Sequence, residues 1–569
     1  MAASNLADTT SPNSVHAESK APSTDSQHSA VNAHQVTEKD IEIAENPIAA
    51  HEKPPHADDT EDGYARGTRL ILIMTAVMLF VFLAALDQTI VSTAVPVVTN
   101  QFNSFSDVGW YGSAYLLTST AFQPLFGRMY SSFSVKYTYL ASLFIFEIGS
   151  LICGVAQDSP TFIVGRAIAG LGMAGGYSGS MIIVNIIAPL ETRPLLTSLI
   201  GAAYGVGGTI GPLIGGAFTS HATWRWCFYI NLIFYAIVGP AILFFMQIPP
   251  TKHEKTVWQR LKIIDWLGSA LVLSSLICIL LVLQWGGVKY SWNDSKIIGL
   301  IVGFFVIAAV FLVEQYFVGE HATIPFRIFK NRTVGFGTIV NFGIAGAYFS
   351  ELYFLPIYFQ SVKGSSAIRS GVQTLPFIVA VIFSVTITGG VVNKTGIYIP
   401  FLFAGTALAA IGGGVLYFLE VDSSQAMWCG LQFLAGFGPG MAWMLPFIAS
   451  SAALPVEDIA LGSAIVIFFQ TLGGTIFVSV AQSVFQNKFV LYLHQIPGVN
   501  AEQIISKGVS AFRAFTPAEQ LPAVLDAANH ALKRDWIMIG CLGAFAFVGV
   551  FGMELNRRIP IGTSAPAAA

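Results

Sequence analysis

An aspartate stands near the end of the first long apolar run, in Leu86-Asp87-Gln88-Thr89-Ile90-Val91. A carboxylate at membrane depth is costly, and such residues mark ion and proton paths. A second charge opens the fourth run, in Arg166-Ala-Ile-Ala-Gly170-Leu-Gly172. At 1.5 Å per residue, Asp87 lies about 25 Å along a span that starts near Leu70, and Arg166 about 9 Å below the surface where the fourth span starts. The two spans run in opposite directions, so the charges reach similar depth. A guanidinium favours the ionised carboxylate and burial favours the protonated one, a balance that lets a change of conformation take up or release a proton. The plain alternative is a static ion pair locking the first and fourth spans.

The elements that position these charges follow from composition. Of 569 residues, 54% are hydrophobic and 11% charged, against about 25% charged in soluble domains. The chain therefore reads as an all-α membrane protein that crosses the bilayer many times. Apolar windows place fourteen spans, at roughly 70–94, 108–128, 137–157, 160–188, 195–219, 226–247, 265–286, 296–318, 333–361, 370–393, 398–420, 425–450, 460–485 and 536–556. With the N-terminus inside, short inner loops carry eleven Lys and Arg and short outer loops five, so both termini are predicted cytoplasmic. Residues 1–65 are polar and without apolar periodicity, which predicts a disordered cytoplasmic tail. Residues 486–535 read as a long outer loop, and 557–569 as a second cytoplasmic tail. The five cysteines show no disulfide or metal spacing and read as small buried residues.

Internal repetition gives the organisation. Arg166 to Gly172 resembles Gln432 to Gly438, Val95-Pro96 resembles Leu355-Pro356, and Gly127 resembles Gly390, at offsets of 266, 260 and 263. The offset matches spans 1–6 with 9–14. The predicted domains are an N-terminal six-helix half at 66–250, an inserted helix pair with its linkers at 251–332, and a C-terminal six-helix half at 333–556. Parallel halves with a midplane site between them are a transporter architecture.

On these residues the chain resembles the major facilitator superfamily, in its fungal fourteen-span drug:proton antiporter group of toxin and secondary-metabolite efflux pumps. Leu86 to Val91 with Ala94-Val95-Pro96 is similar to the first-span motif, and Arg166 with Gly170 and Gly172 to the fourth-span motif. Gly207-x-x-x-Gly211-Pro212-x-x-Gly215-Gly216 is similar to the fifth-span antiporter motif, and Trp224 to Asn231 to the entry of span six. The resemblance covers about residues 65–560 and implies the major facilitator fold. It also implies proton-coupled export of small amphipathic molecules (a secondary metabolite, mycotoxin or drug) by alternating access, with Asp87 and Arg166 coupling the proton. One departure stands out. The family's loop after span two usually reads Gly-x-x-x-Asp-Arg-x-Gly-Arg-Arg, but here Ser131 and Ser134 replace the acid and the second glycine. The charge latch attributed to that loop loses its acid.

Gly207, Gly211 and Gly215 recur every four residues, a stripe that admits close helix packing, and Pro212 bends the helix. We expect this face on the C-terminal half, with Gly473 and Gly474 as partners. Gln123, Asn341, Tyr348, Glu351, Gln432, Phe469 and Gln470 are candidate substrate-cavity residues, since apolar pockets with a few polar fixings suit amphipathic ligands. By the repeat Asp87 corresponds to Ala347, and Glu351 lies one turn beyond, placed for a cationic substrate or a second proton. Glu147 reads as structural, and Glu314 as a residue that snorkels to the inner surface. Asn293-Asp-Ser295 is a glycosylation candidate on the predicted outer side. No phosphate loop or metal-spaced cluster is present, so the chain reads as no enzyme, without cofactor or metal, and gradient-driven rather than ATP-driven. Its expected partners are the lipid bilayer, protons and a small-molecule substrate, with no nucleic acid, and it is expected as a monomer in the plasma membrane. The alternatives are a siderophore or vacuolar small-molecule transporter, in a vacuolar or vesicle membrane, or a transporter-like receptor that moves nothing.

Overall fold

The computed structural model describes residues 65, 67–102, 104, 107–189, 192–247, 256–287, 289–499, 516–556, 558 and 559. The predicted tails at 1–65 and 557–569 lie almost wholly outside them. The first six helices are α1 (Gly67–Phe102), α2 (Val108–Ser132), α3 (Val135–Val155), α4 (Ser159–Ile187), α5 (Arg193–His221) and α6 (Trp226–Phe245). Short α7 (Val257–Ile263) leads to a helix pair, α8 (Trp266–Trp285) and α9 (Ser295–Val318). Then follow α10 (Phe326–Phe329), α11 (Arg332–Ile357), α12 (Ala367–Gln373), α13 (Leu375–Thr395) and α14 (Ile399–Val415). The last are α15 (Gln425–Ala442), α16 (Leu445–Ala453), α17 (Val456–Leu493) and α18 (Leu521–Val550). No strand forms among the described residues beyond a single bridge between Gly286 and Tyr290. The fold is all-α.

Side chains at the ends fix where several helices begin. Asp158 accepts from Thr161 N to cap α4 (2.8 Å), Asn331 accepts from Thr333 N to cap α11 (3.0 Å), and Ser424 caps α15 through Met427 N. Each supplies an acceptor to an otherwise unpaired first-turn N–H. Each predicted span overlaps a long helix, and among the described residues eleven helical stretches are long and apolar enough to cross a membrane.

Three details differ from expectation. The proposed outer loop 486–535 is not one loop: α17 continues to Leu493 and α18 starts at Leu521. The amphipathic stretch at 521–532 is the beginning of the last helix, where buried Asn529 donates to Leu419 O and Lys533 pairs with Glu420. The predicted span 425–450 is broken after Ala442, and a new helix starts at Leu445 with Pro446 in its first turn; the proline has no N–H to give to the carbonyl four residues back, at Ala442. Of the cysteines, Cys153 and Cys227 are buried, but Cys278 and Cys429 are half-buried and Cys541 is exposed.

The helices make matched close contacts. Gly170 meets Tyr115 O on α2, and Gly436 meets Phe377 O on α13. Gly207 meets Phe82 O on α1, and Gly473 meets Phe342 O on α11. At each of these places a Cβ would strike a neighbouring backbone, so only glycine allows the helices to come so near. The matched residues stand at the sequence offsets of 260 to 266 that the repeat already shows. Helices α8 and α9 pack on each other, and α8 also lies against α2 and α17. Phe305, Val306 and Phe317 of α9 are exposed, an apolar surface of the kind that faces lipid.

Candidate functional site

Asp87 and Arg166 meet. Arg166 Nη1 donates to Asp87 Oδ2 at 2.5 Å, and both side chains are wholly buried. Arg166 Nε donates to Tyr111 O (3.0 Å), and its guanidinium lies 4.4 Å from the centre of the Tyr115 ring. Asn231 of α6 donates to Asp87 Oδ1 and to Ser150 Oγ of α3, both at 3.1 Å. The pair is thus held by α1, α2, α3, α4 and α6. Removing two ions from water costs several kcal/mol each, about, and these contacts offset that cost. Arg166 Nη2 and Asn231 Oδ1 have no hydrogen-bond partner. Tyr111, Tyr115 and Ser150 escape sequence reasoning. Asn231 lies inside a quoted motif, and its polar side chain in an apolar run was the available signal.

A separate cavity of about 690 Å³ lies between the halves. Thr89 and Thr93 of α1 and Pro212, Gly216 and Thr219 of α5 form one wall. Tyr353 and Pro356 of α11, Gln360, Ser370, Thr374 and Gln482 face them. The cavity lies toward the predicted outer end, where α1 and α5 finish. Beneath it Tyr204 donates to Gln88 Oε1 at 2.6 Å, beside a void of about 10 Å³, room for about one water at most.

The predicted inner end is closed. Gly127 of α2 abuts Ala464 of α17, and Asn185 of α4 donates to Ser451 of α16 (3.4 Å). Arg128 donates to the carbonyls of Glu320 and Ala322. Arg327 forms paired bonds to Asp458 at 2.7 and 2.9 Å. These contacts hold Arg327 above the usual arginine pKa, through its bond to Asp458 first and Glu320 second. The inner end of α2 therefore latches without the missing acid, through Arg128 to backbone carbonyls of the 319–322 turn.

Two expectations are corrected. Gly207, Gly211 and Gly215 pack on α1 within the N-terminal half, against Phe82, Thr89, Ile90 and Thr93, and not on the C-terminal half. Gly473 and Gly474 meet Phe342 and Phe349 of α11 instead. A stripe shows that a helix packs closely but does not say on what. It is the other face of α5, with Gly208, Pro212 and Gly216, that reaches the cavity.

The second correction concerns the cavity. Gln123, Asn341, Tyr348, Glu351, Gln432, Phe469 and Gln470 do not line it. Several sit in the closed interface below. Thr471 donates to Gln123 Oε1 (3.0 Å), Tyr177 to Gln470 Oε1 (3.3 Å) and Gln470 to Asn341 Oδ1 (3.5 Å). Tyr348 packs 4.5 Å from Trp443, and Phe469 5.8 Å from Phe329. Gln432 donates to Gln373 O and Trp428 O. Glu351 is wholly buried, and neither carboxyl oxygen has a hydrogen-bond partner. Glu147 is buried with one oxygen unpartnered. Glu314 accepts from Gln315. Asn293 is exposed before α9. Among the described residues no cluster of His, Cys, Asp and Glu could hold a metal.

A family model described as Major Facilitator Superfamily matches residues 77–478. An MFS-type efflux pump, MFS1, of Arthroderma benhamiae is 42% identical over 91% of this chain and 97% of that protein. The MFS-type transporter astH of Aspergillus oryzae is 43% identical over 90% and 92%. The efflux pump aflT of Aspergillus parasiticus is 40% identical over 85% and 96%. Among solved structures, the human organic anion transporter MFSD10 superposes with a TM-score of 0.55 over 85% of this chain and all of that one, at 14% identity. The proton:xylose symporter XylE gives 0.53 over 86% and 98%, at 16% identity, a likeness of fold alone. The chain belongs to the Major Facilitator Superfamily, within its group of fungal efflux pumps and transporters, and is not an enzyme.

Proposed function

We propose that the protein exports small amphipathic organic molecules, of the secondary-metabolite or drug kind, against proton entry by alternating access. The observation that carries this reading is the double use of α1. One face holds Asp87 against Arg166 and Asn231. Two residues on, and therefore on nearly the opposite face of the helix, Thr89 lines the cavity. Substrate need not touch the carboxylate to be coupled to it. A ligand that shifts α1 and α5 as a unit alters the distance from Asp87 to Arg166, and with it the preference for a bound proton. The cavity toward the predicted outer end, together with the latched inner end, suits the outward-facing member of an alternating pair. The names of the efflux pumps above support export as the direction. We further propose fourteen crossings, a plasma-membrane location with both termini cytoplasmic, a monomer, and Asn293 as a glycan site.

The test uses inside-out vesicles with an imposed pH gradient. Asp87→Asn strands buried Arg166 and is expected to lower the unfolding temperature, but the amide keeps the shape of the carboxylate, and the molecules that fold are expected to lose gradient-driven substrate uptake while substrate binding survives. Uptake by Asp87→Asn at the wild-type rate and with the wild-type pH dependence defeats the coupling role. A static pair predicts the same loss of thermal stability but unchanged gradient-driven uptake and pH dependence in the molecules that remain folded.

A further inference from the structure

Among the described residues, none that lines the 690 Å³ cavity is Asp, Glu, Lys, Arg or His. The acids nearest in sequence are spent elsewhere: Asp87 is paired behind α1, and Glu351 is wholly buried away from the cavity. A permanent cation entering this space would lose its water and gain no carboxylate, and an unpaired charge in such surroundings is strongly disfavoured. The walls supply hydroxyls and amides instead, set among Pro212, Leu352, Pro356 and Ile378.

The direction of those hydroxyls narrows the ligand further. Thr93 donates to Ile90 O (3.1 Å), Thr209 to Gly205 O (2.7 Å), Thr219 to Gly215 O (2.8 Å) and Thr374 to Ser370 O (2.8 Å). Each spends its single proton on its own helix and keeps acceptor lone pairs. Tyr353 and Gln482 bring groups that can donate, and Gln360, whose Nε2 already donates to Ser370 Oγ (3.0 Å), keeps a second N–H. The lining thus pairs acceptors on the threonines with donors on the phenol and the amides.

Resting on the efflux reading above, we propose that the cavity selects uncharged, oxygen-rich ligands that carry both a hydroxyl and carbonyl or ether oxygens on an apolar ring body, and that it rejects permanent cations. The hydroxyl meets a threonine oxygen, and the carbonyl or ether oxygens meet Tyr353 and the glutamines. Specificity comes from matching hydrogen bonds, because a polar group of ligand or wall that binding buries without a partner is penalised.

The experiment is equilibrium binding to the purified full chain, using tritiated podophyllotoxin, an uncharged lactone with one aliphatic hydroxyl. The competitors are deoxypodophyllotoxin, which lacks only that hydroxyl, and the permanent cation ethidium. Podophyllotoxin is expected to bind, and deoxypodophyllotoxin to bind about fivefold more weakly, the fold-change of one ordinary hydrogen bond. Ethidium is expected not to compete. Thr374→Val is expected to shrink the difference between the two lactones, and Gln360→Glu to make ethidium a competitor. Competition by ethidium against the wild type as effective as that of unlabelled podophyllotoxin overturns the proposal, and so does a failure of podophyllotoxin to bind. Failure of the efflux reading looks different: the lactone binds with this selectivity, but no pH gradient moves it across vesicles.

Discussion

In the N-terminal half Arg166 reaches Asp87 and the carbonyl of Tyr111. At the matching place in the C-terminal half Gln432 reaches the carbonyl of Gln373, and Ala347 stands where the acid would be. The backbone hydrogen bond survives the change and the ion pair does not. Around both places the same glycine-to-carbonyl contacts hold the helices at the same close approach. The scaffold therefore does not need the charges, since one half is built without them. In the half that has them they carry a desolvation cost, and the proposed coupling role supplies a reason to bear it, since it requires an ionisable group. Glu351 complicates the contrast, because it is the C-terminal half's own buried acid and has no partner at all.

The sharpest way to break this comparison is to give the N-terminal half the C-terminal half's residue. Arg166→Gln leaves Asp87 buried without its counter-charge and is expected to cost about 3–5 kcal/mol of stability, read as a fall in thermal unfolding temperature in detergent. Adding Asp87→Ala should recover most of that loss, because the orphaned charge goes too. If Arg166→Gln alone is harmless, the charges are not a coupled pair. The next test concerns the shared scaffold. Gly207→Ala and Gly473→Ala each drive a Cβ into a carbonyl of the neighbouring helix, and each should cost about 1–3 kcal/mol. Similar losses support structural equivalence, and tolerance at one site alone argues against it. Smaller still, Gln432→Ala forfeits a hydrogen bond but strands no charge, and is expected to cost about 1 kcal/mol. A larger loss there would mean that the C-terminal half depends on its polar residue as much as the N-terminal half does on its ion pair.

Much of this was legible before any coordinates. A count of 1.5 Å per residue brought Asp87 and Arg166 to one depth, and two buried opposite charges at one depth have strong reason to meet. The offsets between Gly170 and Gly436 and between Gly127 and Gly390 exposed the repeat. What stayed hidden was azimuth. Asp87 and Thr89 are adjacent in any hydropathy window, yet one faces the ion pair and the other the cavity. The stripe of Gly207, Gly211 and Gly215 announced a close neighbour without naming α1. Gln123 and Gln470, candidates for the cavity by their polarity, lie instead in the sealed interface below it. The outer loop was misjudged because the first turns of α18 are polar enough to resemble a loop. Asn529 and Lys533 donate there to Leu419 and Glu420, beyond the end of α14, and that pairing depends on residues more than a hundred positions away.

The smallest expected effect lies at another matched pair, the caps of α4 and α15. Asp158 and Ser424 occupy the same place in the repeat, each accepting from the N–H three residues on. The caps are alike in geometry and unlike in chemistry, because only the carboxylate titrates. The bond from Thr161 N, and then the Thr161 hydroxyl, hold the Asp158 carboxyl below its ordinary value, and slight desolvation opposes them without prevailing. A group depressed in the folded state contributes stability that is fully present above its unfolded pKa, about 3.9. That contribution is lost as pH falls through the lower, folded value. The N-terminal half should therefore lose a little stability on acidification at a point where the C-terminal half loses none. Asp158→Ser copies the other cap and should flatten this component of the stability curve between pH 5 and 3, about the range in which an aspartate protonates, while leaving stability at pH 7 nearly unchanged. Ser424→Asp should introduce the same acid sensitivity on the other side. Unfolding temperatures measured across that range decide it: equal slopes for the wild type and Asp158→Ser mean that the cap is not titrating with folding. The contrast between the halves would then be confined to the buried pair.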